Sequence, residues 1–332
     1  MTLRMPPEWE KHARTWVAFP SAGYTLGDTE AEHEAARKTW SAVANAASEF
    51  EPVSVVVNPS DEKLAKKYLS GQIDVVPIPI NDAWIRDTGP TFVRNGDQLA
   101  AVNWVFNGWG NQGWANFDLD SQLATEIAKL VGVEVIDSSL VNEGGGFHVN
   151  DRGQLLVTET VQLGKGRNPK ATKESVEQEM HQKLGTTETL WLKRGLTRDY
   201  EEFGTQGHVD IVACFAPDGR VLYHDQKNPN HPDYLVSAEV RETLIRAGVE
   251  VVSIPAPETL RDELDYVDYS YINHYVLNNA VLLCGFDDPR DKETKALMRE
   301  IYPGREIVLL DARELFARGG GIHCITQQQP AF

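Results

Sequence analysis

The three cysteines, Cys214, Cys284 and Cys324, are the candidate nucleophiles of this sequence, and their surroundings distinguish them. Cys324 lies in the segment RGGGIHCITQQQP, shortly after three glycines. Because glycine lets the backbone approach a ligand closely, this loop is an expensive place for a thiol that serves packing alone. Cys214 and Cys284 lie within apolar runs, where a free cysteine packs as a small hydrophobic residue. We therefore predict that Cys324 is a covalent nucleophile and that the other two are core residues.

A nucleophilic thiol needs a neighbouring group that transfers protons. The motif GHVD (207–210) supplies a candidate, because its histidine and its aspartate are two residues apart in a strand-like segment. Alternate residues of a strand face the same side, so we expect His208 and Asp210 to point into one cavity. Taken alone, the pair also fits a structural histidine beside a solvated aspartate.

Three further side chains precede glycine-containing turns. Glu143 comes directly before the glycines of VNEGGGFHV, and Trp84 and Asp87 lie in NDAWIRDTGPTF. Alone, Glu143 fits a turn carboxylate, and Asp87 fits a salt bridge with Arg86. Like the histidine and the thiol, these residues follow strand-like segments of successive units, so a repeated scaffold would bring them together.

The combined site would contain one thiol, one imidazole and three carboxylates. Nearby carboxylates raise the pKa of a thiol and so disfavour the thiolate. A cationic substrate removes this conflict, because a planar guanidinium binds carboxylates through paired hydrogen bonds and its charge favours the adjacent thiolate. The residue types therefore predict a small cationic guanidino substrate.

The elements that position these residues follow an alternating pattern. Helical periodicity occurs in six windows, and most of them are followed by β-branched stretches: 31–50, 61–70, 120–132, 172–185, 237–248 and 291–304. A helix followed by a strand recurs about five times, at roughly 55–65 residues, which indicates an α/β fold, either a doubly wound sheet or a closed array of repeats. Two GGGxH motifs, at 144–148 and 319–323, favour repeats. No linker marks a boundary, so we expect a single domain over residues 1–332.

Composition limits the partners. The chain has 32 Lys and Arg against 49 Asp and Glu, a net charge of −17, and no basic run. Nucleic acid and anionic membranes are therefore unfavourable partners, whereas a small cation would be attracted. We find no apolar run of the roughly 18 residues that a spanning helix needs, and no signal peptide. Three cysteines do not suggest a disulfide framework, so we expect the cytoplasm.

Five segments resemble the agmatine deiminases, within the wider peptidylarginine-deiminase-like group, in the same order along nearly the whole chain: WIRDTGPTF, EGGGFHV, GRNP (166–169), GHVD and GGGIHCITQQQP. The resemblance implies the pentein fold, a five-bladed pseudo-symmetric ββαβ propeller. It implies hydrolysis of agmatine to N-carbamoylputrescine and ammonia, a step in putrescine synthesis. It implies no metal and no organic cofactor, and it leaves a homodimer open.

The resemblance also implies a role for each catalytic residue. Cys324 falls on the nucleophile that attacks the guanidinium carbon and forms a covalent amidino intermediate. His208 falls on the general acid and base, which protonates the departing ammonia and then activates water. Glu143 falls on the carboxylate that holds the histidine and keeps it charged.

Four residues fall on the family's substrate-binding positions. Asp87 and Asp210 correspond to the carboxylates that hold the guanidinium nitrogens. Trp84 corresponds to an aromatic wall beside the methylene chain of the substrate, and Trp109 to a residue near the entrance.

One segment departs from the family pattern. Where common agmatine deiminases carry DETNGHVD, this chain has the longer TRDYEEFGTQGHVD, with Gly204 in place of the glutamate near the distal ammonium of the substrate. Glu201 and Glu202 of the longer loop are candidates to replace that acid. Arginine, another guanidino amine and an N-terminal peptidyl arginine therefore stay open as substrates.

Two other classes of function remain as alternatives. Several side chains are also suitable metal ligands for a ureohydrolase, which would release urea: His148, His208, His323, Asp210 and Glu143. The sequence lacks the dense His and Asp sets that we would expect of such an enzyme. A non-catalytic protein that binds guanidines or polyamines could use the same acidic cavity.

Overall fold

The computed structural model describes residues 3–263 and 265–331. Its strands, in chain order, are β1 (Leu3–Arg4), β2 (His12–Ala18), β3 (Val53–Val57), β4 (Asp74–Pro77), β5 (Thr91–Asn95), β6 (Gln98–Val105), β7 (Glu134–Val141), β8 (Phe147–Val149), β9 (Gln154–Thr158), β10 (Glu188–Leu192), β11 (Ala213–Phe215), β12 (Val221–Asp225), β13 (Val251–Pro255), β14 (Tyr275–Val276), β15 (Ala280–Gly285), β16 (Glu306–Asp311) and β17 (Thr326–Pro330).

The α-helices include five of twelve residues or more and several single turns. In chain order they are α1 (Gly23–Leu26), α2 (Glu30–Ser48), α3 (Glu62–Ala65), α4 (Ile85–Thr88), α5 (Gly108–Asn111), α6 (Asp120–Val131), α7 (Glu159–Gln162), α8 (Lys173–Leu184), α9 (Asp233–Arg246), α10 (Arg290–Ile301) and α11 (Arg313–Phe316). Single 3₁₀ turns lie at Pro59–Asp61, Gly144–Gly146, Arg198–Tyr200, Val209–Ile211 and His323–Ile325.

The described strands form five small sheets, and the same arrangement of strands recurs in each sheet. The strand orders are β1-β5-β6-β7, β10-β9-β8, β11-β12-β13, β14-β15-β16 and β17-β2-β3-β4. In each sheet two strands pair in antiparallel fashion, and a further strand pairs parallel to one of them. A long helix joins the parallel partners, because a parallel connection must cross from one end of the sheet to the other. These helices are α2, α6, α8, α9 and α10.

Most of the predicted helices agree with the structure. The windows at 31–50, 120–132, 172–185, 237–248 and 291–304 coincide closely with α2, α6, α8, α9 and α10. Thr29 starts α2 with a capping box, and left-handed Gly132 and Gly185 end α6 and α8. The window at 61–70 is largely wrong, because only Glu62–Ala65 is α-helical there.

The two ends of the chain lie in neighbouring sheets. The last strand, β17, pairs antiparallel with β2, and Trp16 Nε1 donates a 3.0 Å hydrogen bond to Gln329 Oε1. The first strand, β1, pairs with β5 in another sheet. The unit that contains β2 and β3 is therefore complete only when the final strand is in place.

A large apolar core connects the units. Strand β15 is buried along its whole length, and both Cys214 in β11 and Cys284 in β15 are core residues, as predicted. Within residues 3–263 and 265–331, no helix combines the length and the apolar character needed to cross a membrane.

Candidate active site

The thiol of Cys324 lies in a 3₁₀ turn directly before β17 and is 4% exposed. Asn273 Nδ2 donates to the sulfur at 3.2 Å, Gly321 N donates at 3.5 Å, and Asp210 Oδ2 is 3.5 Å away. Burial, together with Asp210 and Asp87, raises the pKa of the Cys324 thiol well above its usual value. The sulfur therefore carries its proton at neutral pH. Sequence reasoning missed Asn273, because an asparagine in the apolar segment YINHYV gives no distinctive signal.

His208 faces two carboxylates, but not from a strand. It directly precedes the 3₁₀ turn Val209–Ile211, so the prediction that His208 and Asp210 lie on a strand is wrong. His208 Nε2 is 3.4 Å from Glu143 Oε2, and its Nδ1 is 3.9 Å from Asp87 Oδ2. Burial would lower the pKa of His208, but Asp87, Glu143 and Asp210 outweigh it and raise the pKa to about 9. The imidazole is therefore charged at neutral pH and is ready to donate a proton.

Glu143 is anchored by an arginine. Arg167 Nε lies 2.9 Å from both Glu143 oxygens, and Arg167 Nη2 donates to the Thr205 carbonyl at 2.7 Å. Burial would raise the pKa of Glu143, but Arg167 and His208 hold it below its usual range. Arg167 belongs to the GRNP segment of the family resemblance, and the structure shows what it contacts: the carboxylate that holds His208.

Asp87 and Asp210 are fixed from opposite sides. Trp109 Nε1 donates to Asp87 Oδ2 at 2.8 Å, and Gly145 N donates to Asp87 Oδ1 at 2.9 Å. His323 Nδ1 is 2.8 Å from Asp210 Oδ2, whereas Asp210 Oδ1 has no hydrogen-bond partner among the described residues. Burial raises the pKa of Asp87; burial alone would also raise that of Asp210, but His323 lowers it.

Gly145 marks the point where these side chains converge. A methyl group added there would lie 2.6 Å from His208 Nδ1 and 3.0 Å from both Asp210 Oδ2 and Asp87 Oδ1. At Gly320, an added methyl would lie 2.7 Å from the Trp84 ring and 3.0 Å from the Cys324 sulfur. The two glycine runs of the sequence therefore leave the backbone bare where side chains would occupy the site.

The structure thus brings together the predicted thiol, imidazole, three carboxylates and two tryptophans. Trp84 is next to the thiol, and its Nε1 has no hydrogen-bond partner within the described part of the chain. Trp109 contacts Asp87 directly and is 4% exposed, and it also lines a neighbouring cavity together with Gly166 and Tyr200.

A second layer of buried charge supports the centre. His323 Nε2 is 3.0 Å from Glu8 Oε2, which also lies 3.5 Å from Arg86 Nη2. Burial would raise the pKa of Glu8, but His323 and Arg86 hold it well below its usual value. Arg86 also donates to the His323 carbonyl at 3.2 Å. The alternative of a salt bridge between Arg86 and Asp87 is wrong, because Arg86 forms its ion pair with Glu8.

An aromatic cluster made of Tyr24, Trp109, Trp114 and Phe203 lies beside the site. Tyr24 stacks on Phe203 with ring centroids 4.5 Å apart, and Trp114 is 5.3 Å from both Phe203 and Trp109. Trp109 and Phe203 have positive φ values of 54° and 69°, which are costly for aromatic residues. The cluster links the carboxylate of Asp87 to the loop that carries the thiol.

The same residues bear on the alternative of a metal centre. Within residues 3–263 and 265–331, no three His, Cys, Asp or Glu side chains form a group placed to hold a metal ion. Burial lowers the pKa of His148 to about 3, and its Nδ1 accepts a 3.3 Å hydrogen bond from Phe215 N.

Fold and site together define an α/β protein with a buried cysteine–histidine–carboxylate centre. Residues 4–330 match the Porphyromonas-type peptidyl-arginine deiminase family. The chain belongs to this family.

Relatives and solved structures resemble this chain over nearly its full length. The chain is 51% identical to a Streptomyces coelicolor protein named "Putative agmatine deiminase", over 99% of both chains. It is 34% identical to the agmatine deiminase of Ectopseudomonas mendocina, over 99% of this chain and 96% of the other. The structure of the Enterococcus faecalis agmatine deiminase superposes with a TM-score of 0.92 at 30% identity, covering 99% of this chain and 96% of that one. These findings confirm the resemblance to agmatine deiminases and the mixed α/β fold.

Proposed function

We propose that this protein is an agmatine iminohydrolase, which converts agmatine and water to N-carbamoylputrescine and ammonia and so serves putrescine synthesis. The observation that carries the proposal is the convergence of His208, Asp87 and Asp210 on Gly145, with the Cys324 sulfur 3.5 Å from Asp210. The full-length likeness to proteins named agmatine deiminase supports it.

Substrate binding comes first. The guanidinium lies between Asp87 and Asp210 and donates a hydrogen bond to Asp210 Oδ1, which lacks a partner among the described residues. The methylene chain of the substrate lies along Trp84. The positive charge of the guanidinium compensates the buried carboxylates, since a buried charge needs a partner. The same charge lowers the pKa of Cys324, whose proton is released to water.

Two chemical steps follow. The thiolate attacks the guanidinium carbon, and the charged His208 donates a proton to one terminal nitrogen, which leaves as ammonia. The remaining amidino group stays bonded to sulfur. Neutral His208 then accepts a proton from water as its oxygen adds to the carbon, and collapse breaks the carbon–sulfur bond and forms the urea carbonyl. Glu143 keeps the imidazole oriented and Arg167 keeps Glu143 charged.

We also propose an arrangement of the sheets, a cellular compartment and a test of the oligomeric state. The five sheets would surround one axis as a pentein propeller, which the recurrence of one unit in every sheet supports. The enzyme would be cytoplasmic, and three unpaired cysteines suit that compartment. Sedimentation would decide whether it forms a homodimer.

The test is ammonia release from agmatine. Cys324→Ala is expected to lower the rate more than about a thousandfold, as removal of a covalent nucleophile does. Cys214→Ala, which removes a core thiol, serves as the matched control and should keep most of the activity. A near-normal rate for Cys324→Ala would refute the proposal.

Assaying urea in the same reactions separates the other candidates. A metal-dependent ureohydrolase would release urea and would stop after treatment with a chelator. A binding protein would retain agmatine without turnover in the unmodified chain. Parallel reactions with arginine and other guanidino amines define the preferred substrate. The preference is open because Gly204 stands where common agmatine deiminases carry a glutamate.

A further inference from the structure

An acidic cavity lies behind the loop that carries the thiol. It has a volume of about 330 Å³ and is lined by residues 198, 199 and 201–204 and by Asp268, Phe316 and Gly319, among others. Four of its lining residues are acidic and one is basic: Asp199, Glu201, Glu202, Asp268 and Arg198. The cavity therefore favours a cation.

Asp268 is a buried acid at the wall of this cavity, and Arg198 is the nearby cation that acts on it. It is 7% exposed, and its Oδ1 has no hydrogen-bond partner among residues 3–263 and 265–331. Burial, followed by the neighbouring Asp199, raises the pKa of Asp268 to about 7. Arg198 is held by Asp262 at 2.6 Å and by the Tyr266 carbonyl at 3.3 Å. Asp268 lines the cavity, so a donor bound there would meet a carboxylate that has an unsatisfied oxygen.

The other acids are less suited to this role. Asp199 accepts hydrogen bonds from the backbone of its own loop, including Thr205 N at 2.6 Å and Gly207 N at 2.6 Å. Glu201 and Glu202 are exposed, so water and salt screen their charges.

The cavity lies within reach of the thiol. Its wall includes Gly319, and the next residue, Gly320, would place a methyl group 3.0 Å from the Cys324 sulfur. Adjacent Cα atoms are about 3.8 Å apart. In extended agmatine, six bonds separate the guanidinium carbon from the amine nitrogen, which spans roughly 7 Å. This length exceeds the one-residue step that separates Gly320, beside the thiol, from Gly319 in the cavity wall.

Gly204 explains why the acid must come from another element. A methyl group on Gly204 would lie 2.2 Å from the Asp199 carbonyl oxygen and 2.5 Å from its carbon. The Gly204 carbonyl also accepts a 2.5 Å hydrogen bond from Gln112 Nε2. The loop in this conformation leaves no room for an acidic side chain at position 204.

We propose that Asp268 binds the distal ammonium of the substrate and selects guanidino amines with an uncharged four-carbon spacer. This assignment rests on the proposed function and names the substrate class of the same site. Arginine would bring its α-carboxylate next to Asp268, Glu201 and Glu202, and like charges at that distance are repulsive. The enzyme should therefore prefer agmatine to arginine.

The test compares agmatine with 1-butylguanidine, which has the same chain but no ammonium. Asp268→Asn keeps the shape and removes the charge, and it is expected to raise the KM for agmatine at least tenfold. The KM and kcat for 1-butylguanidine should stay within twofold of normal. Asp151→Asn, which neutralises an exposed turn carboxylate, is the matched control. An unchanged KM for agmatine, or an equal effect on both substrates, would overturn the assignment.

Two further measurements separate this proposal from its foundation. Calorimetry of agmatine binding to Cys324→Ser, with and without Asp268→Asn, tests the ammonium site without turnover, and the second substitution should weaken binding at least tenfold. Thermal unfolding checks the fold, and we expect Asp268→Asn to unfold at no lower temperature than the unmodified protein, because it removes a buried charge that has one oxygen without a hydrogen-bond partner among the described residues. Absence of ammonia release from both substrates would instead contradict the proposed function.

Discussion

At the scale of single residues, the centre is a set of ionisable groups in which raised pKa values keep the thiol neutral and the imidazole charged. The Cys324 thiol is kept protonated by burial and by Asp210 and Asp87, while the same carboxylates help to keep His208 charged. In the proposed reaction, this arrangement would supply a proton to the leaving group from His208, and the cationic substrate would favour the thiolate.

The charge of His208 should make stability depend on pH. Its pKa is raised to about 9, above the value near 6.5 of an unfolded chain, so the stabilisation is complete below about pH 6.5 and is lost as pH rises through 9. We compare the unfolding free energies of the unmodified protein and of His208→Gln. The difference between them should be about 3 kcal/mol larger at pH 6 than at pH 10. Denaturant titrations across this range give the difference, and an offset independent of pH would contradict it.

The residue types could be read from the sequence, but their contacts could not. Cys324, His208, Glu143 and the two aspartates were identified through glycine-rich and polar motifs. Asn273 was not, because its role depends on a side chain meeting the thiol across 51 residues of chain. Glu8 lies even further from its partner His323, 315 residues along the chain. Sequence spacing carries no information about such contacts.

At the scale of elements, the loop before His208 is folded around one carboxylate. Asp199 accepts hydrogen bonds from Thr205 N, Gly207 N and His208 N, the last at 3.0 Å. Gln206 within this loop has a positive φ of 70°. The loop is therefore held in a costly conformation by bonds to a single side chain, and this conformation presents the imidazole to Glu143.

Asp199→Asn should disturb that loop. The amide replaces one accepting oxygen by a donor facing backbone N–H groups, which we expect to cost about 2 kcal/mol of unfolding free energy. The kcat should fall at least tenfold, because His208 loses its fixed position. Asp97→Asn, in the exposed turn between β5 and β6, is the control for removal of a carboxylate. Normal kcat and stability in Asp199→Asn would show that the loop does not depend on this carboxylate.

The elements were partly predictable. The long amphipathic helices were located closely, because their periodicity extends over three or more turns. The short segments were not: the strand predicted around His208 is a 3₁₀ turn, and three hydrogen bonds to Asp199 decide its form. Local propensity cannot anticipate a conformation that a side chain nine residues away imposes.

At the scale of the molecule, the chain folds into five similar units and has a net charge of −17. The recurrence of a helix and a strand predicted repeats. It did not predict which strands form each sheet, and in particular that the last strand joins β2. The net negative charge should attract the proposed cationic substrate over a long range and so assist its capture.

Ionic strength should therefore affect the reaction. Agmatine carries two positive charges and 1-butylguanidine carries one, so the attraction to an acidic protein is stronger for agmatine. Between about 20 and 500 mM salt we expect kcat/KM for agmatine to fall several-fold, and by a larger factor than for 1-butylguanidine. Initial rates at low substrate concentration measure both. Equal salt dependence for the two substrates would rule out this long-range effect.

The pairing of β17 with β2 has a consequence for how the protein is made. Cys324 lies two residues before β17, and the ribosome adds β17 long after β2, since the chain between them runs from Ala18 to Thr326. Until β17 is made, one side of β2 has no partner, and such an open strand is prone to pair with other chains. During translation the proposed nucleophile and the strand that covers β2 are therefore added together, so the exposure of β2 ends as the site acquires its thiol.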